Sequence, residues 1–435
     1  MSPRSTGRST IFAMNLSTVL AAGGFLLSAC QGAGTPADPN APGNPGNPAP
    51  AINAAVIPGA FIVVFNRSVA DAPGLAKQLA TDHGGTLRFT YTAALKGFAA
   101  DLPDRAVEAL KHNPNVAYVE QDGTVELFGG GTEPAPPAPW GLDRVDQRTL
   151  PLSASYTWGT SGAGVSVYII DTGIRTTHQD FGGRAVWDFN AVKGNDPDTD
   201  CMGHGTHVAG TVGGTTYGVA KGVSLHAVKV LDCTGSGRWS WVIAGIDWVT
   251  AHAAKPAVAN MSIGGDYNQA VNDAVAGSIR SGVTYAIAAG NSTTDACTVS
   301  PASTPAALTV GATTKLDAVA SYSNIGPCVD LFAPGSFILS DWITSDTTAV
   351  YLSGTSMATP HATGAAALYL ETHPTASPAA VASYLLAAAT RDRITNAGTG
   401  SPNLLLFVGD SASVQSPPSG GSSCVPSKSW SNNCK

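Results

Sequence analysis

Apolar residues change their spacing several times along the chain, and each change marks an element. The run from Phe61 to Phe65 has the texture of a strand, and Ala72 to His83 repeats its apolar residues at helical spacing. Leu87 to Leu102 holds one or two further strands, Arg105 to His112 a second short helix, and Val116 to Glu120 another strand. Together these predict a small α+β unit over residues 57–128. From Trp140 the texture alternates between β and α. Val165 to Ile170, Leu225 to Leu231, Val258 to Ile263, Val283 to Ala288 and Ala307 to Val310 are near-continuous apolar runs, as strands buried on both faces require. Helical stretches lie between and after them: His204 to Val212, Trp239 to Ala253, Tyr267 to Ser281 and Ser356 to Glu371. This pattern predicts a doubly wound, mainly parallel α/β sheet over residues 140–410, with its active site at the carboxyl ends of the strands.

Two stretches rich in Pro and Gly, residues 30–56 and 129–139, cannot bury apolar surface and read as linkers, the second open to cleavage. Residues 411–435 form a Ser/Pro/Gly-rich tail. Of the 435 residues, 43% are hydrophobic, ample for a large core, and only 12% are charged, about half the globular average. The net charge of -7 is scattered and no basic block marks a nucleic-acid surface, so nucleic acid is not an expected partner. Arg4 and Arg8 precede an apolar stretch, Ile11 to Leu27, broken by Asn15, Ser17 and Thr18. It is too short and too polar for a comfortable membrane span, and residues 1–29 read as a secretory signal peptide. Export permits disulfides. Seven cysteines are present, an odd count, so one has a separate fate if the others pair. Cys30 follows Leu27, Ser28 and Ala29, which resembles the bacterial lipobox; that resemblance implies a lipid on Cys30 and a membrane-anchored precursor. An ordinary signal peptide with an incidental Cys is the alternative.

Three motifs carry candidate chemistry. Asp171 ends a strand and is followed by Thr172 and Gly173. Asp-Thr-Gly is also the mark of aspartic peptidases, but those need two carboxylates sharing a proton and this chain has one such triplet. His204 opens a small-residue segment, Gly203 to Gly210; Cys201 and His207 nearby make zinc conceivable, though no second cysteine stands at ligand spacing. Ser356, within Gly354 to His361, starts a long Ala/Gly-rich helix. A Ser there can be a simple cap, yet the free N–H groups of a buried helix start would also stabilise an oxyanion. A lipase-type elbow is excluded, because Ala358 replaces its last Gly and no His follows Asp392.

Asp171, His204 and Ser356, in that order and 33 and 152 residues apart, resemble the subtilisin-like serine peptidases. The resemblance is to the proteinase K and aqualysin branch, through Pro139 to Gln147 and the cysteine positions, and residues 57–127 resemble the inhibitor propeptide of that family. It implies a secreted, self-processing endopeptidase that acts on proteins and peptides, is inhibited by its own propeptide and matures to a monomer. Its triad would be Asp171, His204 and Ser356, with Asn291 as the oxyanion-hole side chain. Substrate would add as a strand between Gly235, Ser236 and Gly237 on one side and Ser262, Ile263 and Gly264 on the other. The first pocket would be walled by Ser262 to Gly265, by Ala288, Ala289 and Gly290, and by Val299; with no acidic residue there, an apolar or aromatic side chain is expected. Trp239 and Val242 would line a further apolar pocket. The branch also implies bridges Cys201–Cys233 and Cys297–Cys328, leaving Cys424–Cys434 as a third pair. Structural calcium is implied at Asp143, Asp146, Gln147, Ser153 and Ser155, and at Asp330 with the carbonyls of Pro305 and Ala307. The strand Val116 to Leu127 should plug the cleft, with self-cleavage between about Leu127 and Glu133 and Leu127 or Phe128 in the first pocket. A non-catalytic binding module on the same fold is the competing class, and would be marked by loss of a triad or oxyanion residue.

Overall fold

The computed structural model describes residues 55–127, 139–192 and 197–409. Cys30, Phe128, Cys424 and Cys434, the two linkers apart from Ala55, Val56 and Pro139, and the tail lie outside the described residues.

The first unit runs β1 (Val56–Phe65), α1 (Ala72–Asp82), β2 (Thr86–Tyr91), β3 (Gly97–Asp101), α2 (Asp104–Lys111) and β4 (Val116–Leu127). Its strands are antiparallel, in the order β4-β1-β3-β2. Alternation along β1 splits its side chains between two cores. Val63 and Phe65 pack with Phe98, Leu79 and Leu110 under the unit's own helices, while Ile62 and Val64 face the second unit. The Asp71 carboxylate caps α1, accepting the Gly74 N–H at 2.8 Å, and Pro73 occupies the first turn, where no amide donor is needed.

The second unit continues α3 (Trp140–Val145), β5 (Ser166–Asp171), β6 (Ala185–Asn190), α4 (His204–Gly213), β7 (Ser224–Lys229), β8 (Ser236–Arg238), α5 (Trp239–His252), β9 (Ala257–Met261), β10 (Ile263–Asp266), α6 (Gln269–Arg280), β11 (Thr284–Ala288), β12 (Val299–Ser300), β13 (Leu308–Thr313), β14 (Leu331–Pro334), β15 (Ile338–Asp341), β16 (Ala349–Leu352), α7 (Thr355–Thr372), α8 (Pro378–Ala388), β17 (Thr390–Arg391) and β18 (Leu404–Leu405). Nine strands form the central sheet, in the order β17-β18-β14-β13-β11-β9-β5-β7-β6, and every pairing but β17 with β18 is parallel. One core, with α4 and α7, lies on one face; another, with α5 and α6, lies on the other. All ten residues of α4 are buried, which its small side chains allow. The strand order reverses at β5 and β9, so a crevice opens beyond their carboxyl ends, where Asp171 and Ser262 stand.

Boundaries moved by a few residues. The α6 helix starts at Gln269 rather than Tyr267, because Asn268 caps it by accepting the Val271 N–H at 2.9 Å. The strand expected to reach Leu231 ends at Lys229.

Candidate active site

Asp171 is the last residue of β5 and is fully buried. His204 is the first residue of α4, and its Nδ1 lies 2.9 and 3.0 Å from the two Asp171 oxygens. Two glycines permit that approach. Gly203 has φ +110°, and a Cβ there would meet the Trp342 ring at 2.6 Å. A Cβ on Gly205 would lie 2.1 Å from the Gly173 carbonyl, so only glycine lets α4 start against the loop after β5. Asp200 ties the two together. Its Oδ1 accepts from Thr172 Oγ1 (2.9 Å), Met202 N (3.0 Å) and Gly203 N (2.7 Å), and its Oδ2 from Thr206 N (2.9 Å) and Thr206 Oγ1 (2.6 Å). His207, on the same helix, is no rival base. Burial holds it down at about 3, and its Nε2 donates to the carbonyls of Ile338 and Val350.

Ser356 lies in the first turn of α7, fully buried. Its hydroxyl donates to the Ser262 carbonyl at 2.9 Å, and Ser262 Oγ donates back to the Ser356 carbonyl at 2.8 Å. The second bond exists because Pro360, four residues on, has no N–H to offer that carbonyl. His204 Nε2 has no hydrogen-bond partner among the described residues and is open to a proton donor. Asn291 Oδ1 accepts both the N–H (2.9 Å) and the hydroxyl (2.8 Å) of Thr355, which turns the amide nitrogen away toward Gly354.

The cleft is filled by the chain's own β4. It pairs antiparallel with β8 (Val125 opposite Gly237, Glu126 opposite Ser236) and with β10 (Glu126 opposite Gly264, Leu127 opposite Ile263). Val125 is fully buried in the cluster that holds Trp239, Val242 and Ile263. Leu127 packs against Gly235, and its N–H donates to the Gly235 carbonyl at 3.3 Å. Met202, which the sequence reading did not single out, approaches Gly235 from the same side. Leu127 therefore lies along the β8 edge. On the far side β10 pairs with β12, bringing Val299 opposite Asp266 and Ser300 opposite Gly265.

Residues 162–409 match the Subtilase family and residues 61–128 match the Peptidase inhibitor I9 family. The chain belongs to the subtilase family. It is a secreted serine endopeptidase made as a self-processing precursor. An extracellular serine proteinase of Thermus sp. (strain Rt41A) is 53% identical over 371 residues, covering 81% of this chain and 90% of that one. Alkaline serine exoprotease A of Vibrio alginolyticus is 47% identical over 319 residues, covering 73% of this chain and 59% of that one. A cold-adapted subtilisin-like serine proteinase of known structure is 49% identical, with a TM-score of 0.61 over 62% of this chain and 98% of that chain. Fervidolysin from Fervidobacterium pennivorans shares the fold, with a TM-score of 0.68 at 24% identity over 84% of this chain and 62% of that one.

In this subtilase the I9 segment grips the peptidase beyond the cleft. Asp122 caps α5, accepting Ser240 N at 3.1 Å and Ser240 Oγ at 2.5 Å. Glu120 caps α6, accepting Gln269 N at 3.0 Å and Ala270 N at 2.8 Å. In the other direction, Asp247 of α5 accepts the N–H groups of Thr92, Ala93 and Ala94. Burial raises all three carboxyls above the usual range, and the helix and loop N–H groups pull them back down.

Bridges join Cys201 to Cys233 and Cys297 to Cys328. The first uses Cys201 and so ends the zinc alternative; it links the segment before His204 to the loop before Gly235. Subtilisin-like proteins commonly bind structural calcium. No group of three His, Cys, Asp or Glu side chains that could hold a metal occurs among the described residues, so any ion would lean on neutral oxygens as well. Such oxygens do gather at the first expected site. Asp143 accepts from Ser153 N, Ser153 Oγ and Ala154 N, Gln147 Oε1 faces Ser153 N at 3.1 Å, and the hydroxyls of Ser153 and Ser155 are 2.8 Å apart. Asp146 Oδ1 is buried there with no hydrogen-bond partner among the described residues. At the second, Asp330 Oδ2 accepts Thr309 N at 2.7 Å, two residues after Ala307.

Proposed function

We propose that Asp171, His204 and Ser356 are the catalytic triad of this endopeptidase, and that its first turnover cuts its own chain between Phe128 and Gly129. The observation that carries this reading is the register of β4. Glu126 faces Gly264 and Leu127 faces Ile263, so the described strand ends one residue short of Ser262, whose carbonyl already holds the Ser356 hydroxyl. Side chains alternate along a strand, so the residue after which the chain is cut would enter the side away from Leu127, where the first pocket is expected at Ser262 to Gly265, Ala288 to Gly290 and Val299. That wall carries no acidic residue and suits an aromatic ring.

The chemistry follows from the same atoms. Substrate displaces the Ser356 hydroxyl from Ser262, and the hydroxyl turns to His204 Nε2. His204 takes its proton as the oxygen attacks the peptide carbonyl, while Asp171 fixes the ring with Nδ1 protonated and stabilises the imidazolium. The Asn291 amide and the Ser356 N–H donate to the oxyanion. His204 then passes the proton to the leaving amine, and water repeats the cycle on the acyl-enzyme. Strand pairing supplies affinity with little sequence preference, and the pocket holding Val125 selects a second apolar residue three positions before the first-pocket residue.

Calcium is a structural ion on this reading, held by Asp143, Asp146, Gln147, Ser153 and Ser155, and by Asp330 with the carbonyls of Pro305 and Ala307; the orphaned oxygen of Asp146 supports the first. Residues 1–29 direct export, Cys30 carries the lipid anchor, and residues 57–128 leave with that anchor, so the mature enzyme is soluble. N-terminal sequencing of mature wild type should begin at Gly129, and the Ser356→Ala precursor should stay whole and partition with membranes through Cys30. A mature N-terminus elsewhere in residues 129–139 would refute the register argument, and a Cys30→Ala precursor equally membrane-bound would refute the anchor.

A further inference from the structure

Outside the cleft, one buried carboxyl has nothing to receive a proton from. Asp341 ends β15 with no exposed surface, and neither of its oxygens has a hydrogen-bond partner among the described residues. It lies against the second half of α4. A Cβ on Gly214 would come within 2.3 Å of Asp180 Oδ2, 2.8 Å of the Gly210 carbonyl and 3.2 Å of Asp341 Oδ2. Two carboxylates and a carbonyl therefore converge on one spot.

The neighbouring groups are committed elsewhere. His178 Nδ1 is 3.4 Å from Asp341 Oδ1, but its Nε2 faces the Thr348 carbonyl at 3.1 Å and so holds the ring proton, while Nδ1 accepts the Asp180 N–H at 3.3 Å. With Nδ1 accepting that N–H, the ring offers Asp341 no donor. Arg184 spends its donors on the carbonyls of Gly213, Val223 and Asp180 and on Thr215 Oγ1. Tyr217, Tyr351 and Lys221 are the other titratable groups nearby, and the Lys221 ammonium donates to the carbonyls of Thr215 and Thr216. Asp180 is well supplied as an anion, accepting from Thr216 N (2.9 and 3.0 Å) and Thr216 Oγ1 (2.5 Å). Two ionised carboxylates this close, one of them fully buried, repel.

We propose that Asp341 and Asp180 share one proton, carried by Asp341 and donated to Asp180, and that this carboxyl–carboxylate pair fastens the hairpin β15–β16 to the turn 179–181 beside the C-terminal end of α4, the helix of His204. Burial first, then the charge and hydrogen bond of Asp180, push Asp341 up to about 8, and the Arg184 charge offsets only part of that. A raised folded-state value means the folded chain binds the proton more tightly than the unfolded chain. The pair's contribution is therefore complete in acid and is lost as pH rises from ~4, the usual value, through about 8. The hairpin reaches the active site directly: Ile338 and Val350 hold His207, Ser340 Oγ donates to the His207 carbonyl at 2.7 Å, and Trp342 covers Gly203.

The test is thermal unfolding of the full-length Ser356→Ala precursor, which cannot digest itself, from pH 5 to 10, with and without Asp341→Asn. Asparagine keeps the shape and its amide donates to Asp180 at every pH. The Asn variant should unfold at least ~2 °C higher than its parent above pH 8, with the gap closing or reversing at pH 5. Asp180→Asn should flatten the same alkaline decline. An Asn variant equally destabilised at every pH would show that Asp341 is an ionised acceptor, and one that tracked its parent throughout would show that no proton is shared. A midpoint raised by added calcium or sodium in the parent but not in Asp341→Asn would put a cation where the proton is proposed. Each of these three results overturns the proposal.

Discussion

Asp122 should account for a measurable share of the propeptide's grip, and the size of that share can be worked from its contacts. It is almost fully buried, 3% exposed, and caps α5 through two bonds to Ser240, at 3.1 and 2.5 Å. A charge-assisted hydrogen bond contributes ~1.5–3 kcal/mol and a helix cap ~1 kcal/mol. The burial that raises the Asp122 carboxyl opposes them. A net loss of about 2 kcal/mol for Asp122→Ala is the resulting expectation, or ~30-fold weaker inhibition. Asp122→Asn keeps one acceptor without the charge and should lose only ~3–5-fold, at ~0.7–0.9 kcal/mol. The assay is inhibition of mature peptidase by separately made residues 57–128, with circular dichroism to confirm that each variant folds. Glu120→Ala acts on a different helix, so the double variant should multiply the two losses. Inhibition by a folded Asp122→Ala propeptide within about twofold of wild type would refute the idea that the cap supports binding.

Asn291→Ala should lower kcat by ~10²–10³ with little change in KM, since in the proposed mechanism its amide donates to an oxyanion that exists only in the transition state; an equal rise in KM would point to ground-state binding instead. Chelator should lower the thermal midpoint of the mature enzyme, and Asp146→Ala should both lower it and remove part of the chelator's effect, because Asp146 Oδ1 has no other partner among the described residues. A midpoint unmoved by chelator in wild type would count against both calcium sites.

The parts of the fold legible in the sequence were those whose signal is local. The strands β5, β7, β9, β11 and β13 are buried on both faces and announce themselves as apolar runs. The edge strand β6 is mostly half-buried and mixes polar with apolar residues, so no run marks it. The hairpin β15–β16 is two four-residue strands, too short for a period to show. The α8 helix did carry a signal, Ser377 as cap before Pro378, which went unread. At the site, the motif order pointed to Asp171, His204 and Ser356, but what orients them comes from afar. The Asp200 network and the Asn291–Thr355 bonds depend on contacts no spacing displays. One of these was nonetheless available: a Pro at 360 inside a helix must free the carbonyl of 356, and that carbonyl is where Ser262 docks.

The propeptide and a substrate compete for the same edges, yet they cannot be equivalent ligands. A substrate strand would reach β8 and β10 and fill the apolar pocket, as residues 124–127 do. The propeptide adds grips that no extended peptide could copy, because they come from a folded surface: Asp122 and Glu120 on two helix starts, Tyr118 on Asp273 at 2.6 Å, Tyr91 on the Ser240 carbonyl at 3.1 Å, and the loop 92–94 held by Asp247. None of these contacts involves the bond to be cut. The proposed hydrolysis after Phe128 would therefore remove the covalent link without weakening them, and the product would stay bound as an inhibitor. Release must come from unfolding or digestion of the propeptide, whose own apolar core, built around Phe65 and Phe98, is a cluster separate from the other two. Maturation is on this argument two steps with different determinants, the first set by Ser356 and its neighbours and the second by the stability of residues 57–128.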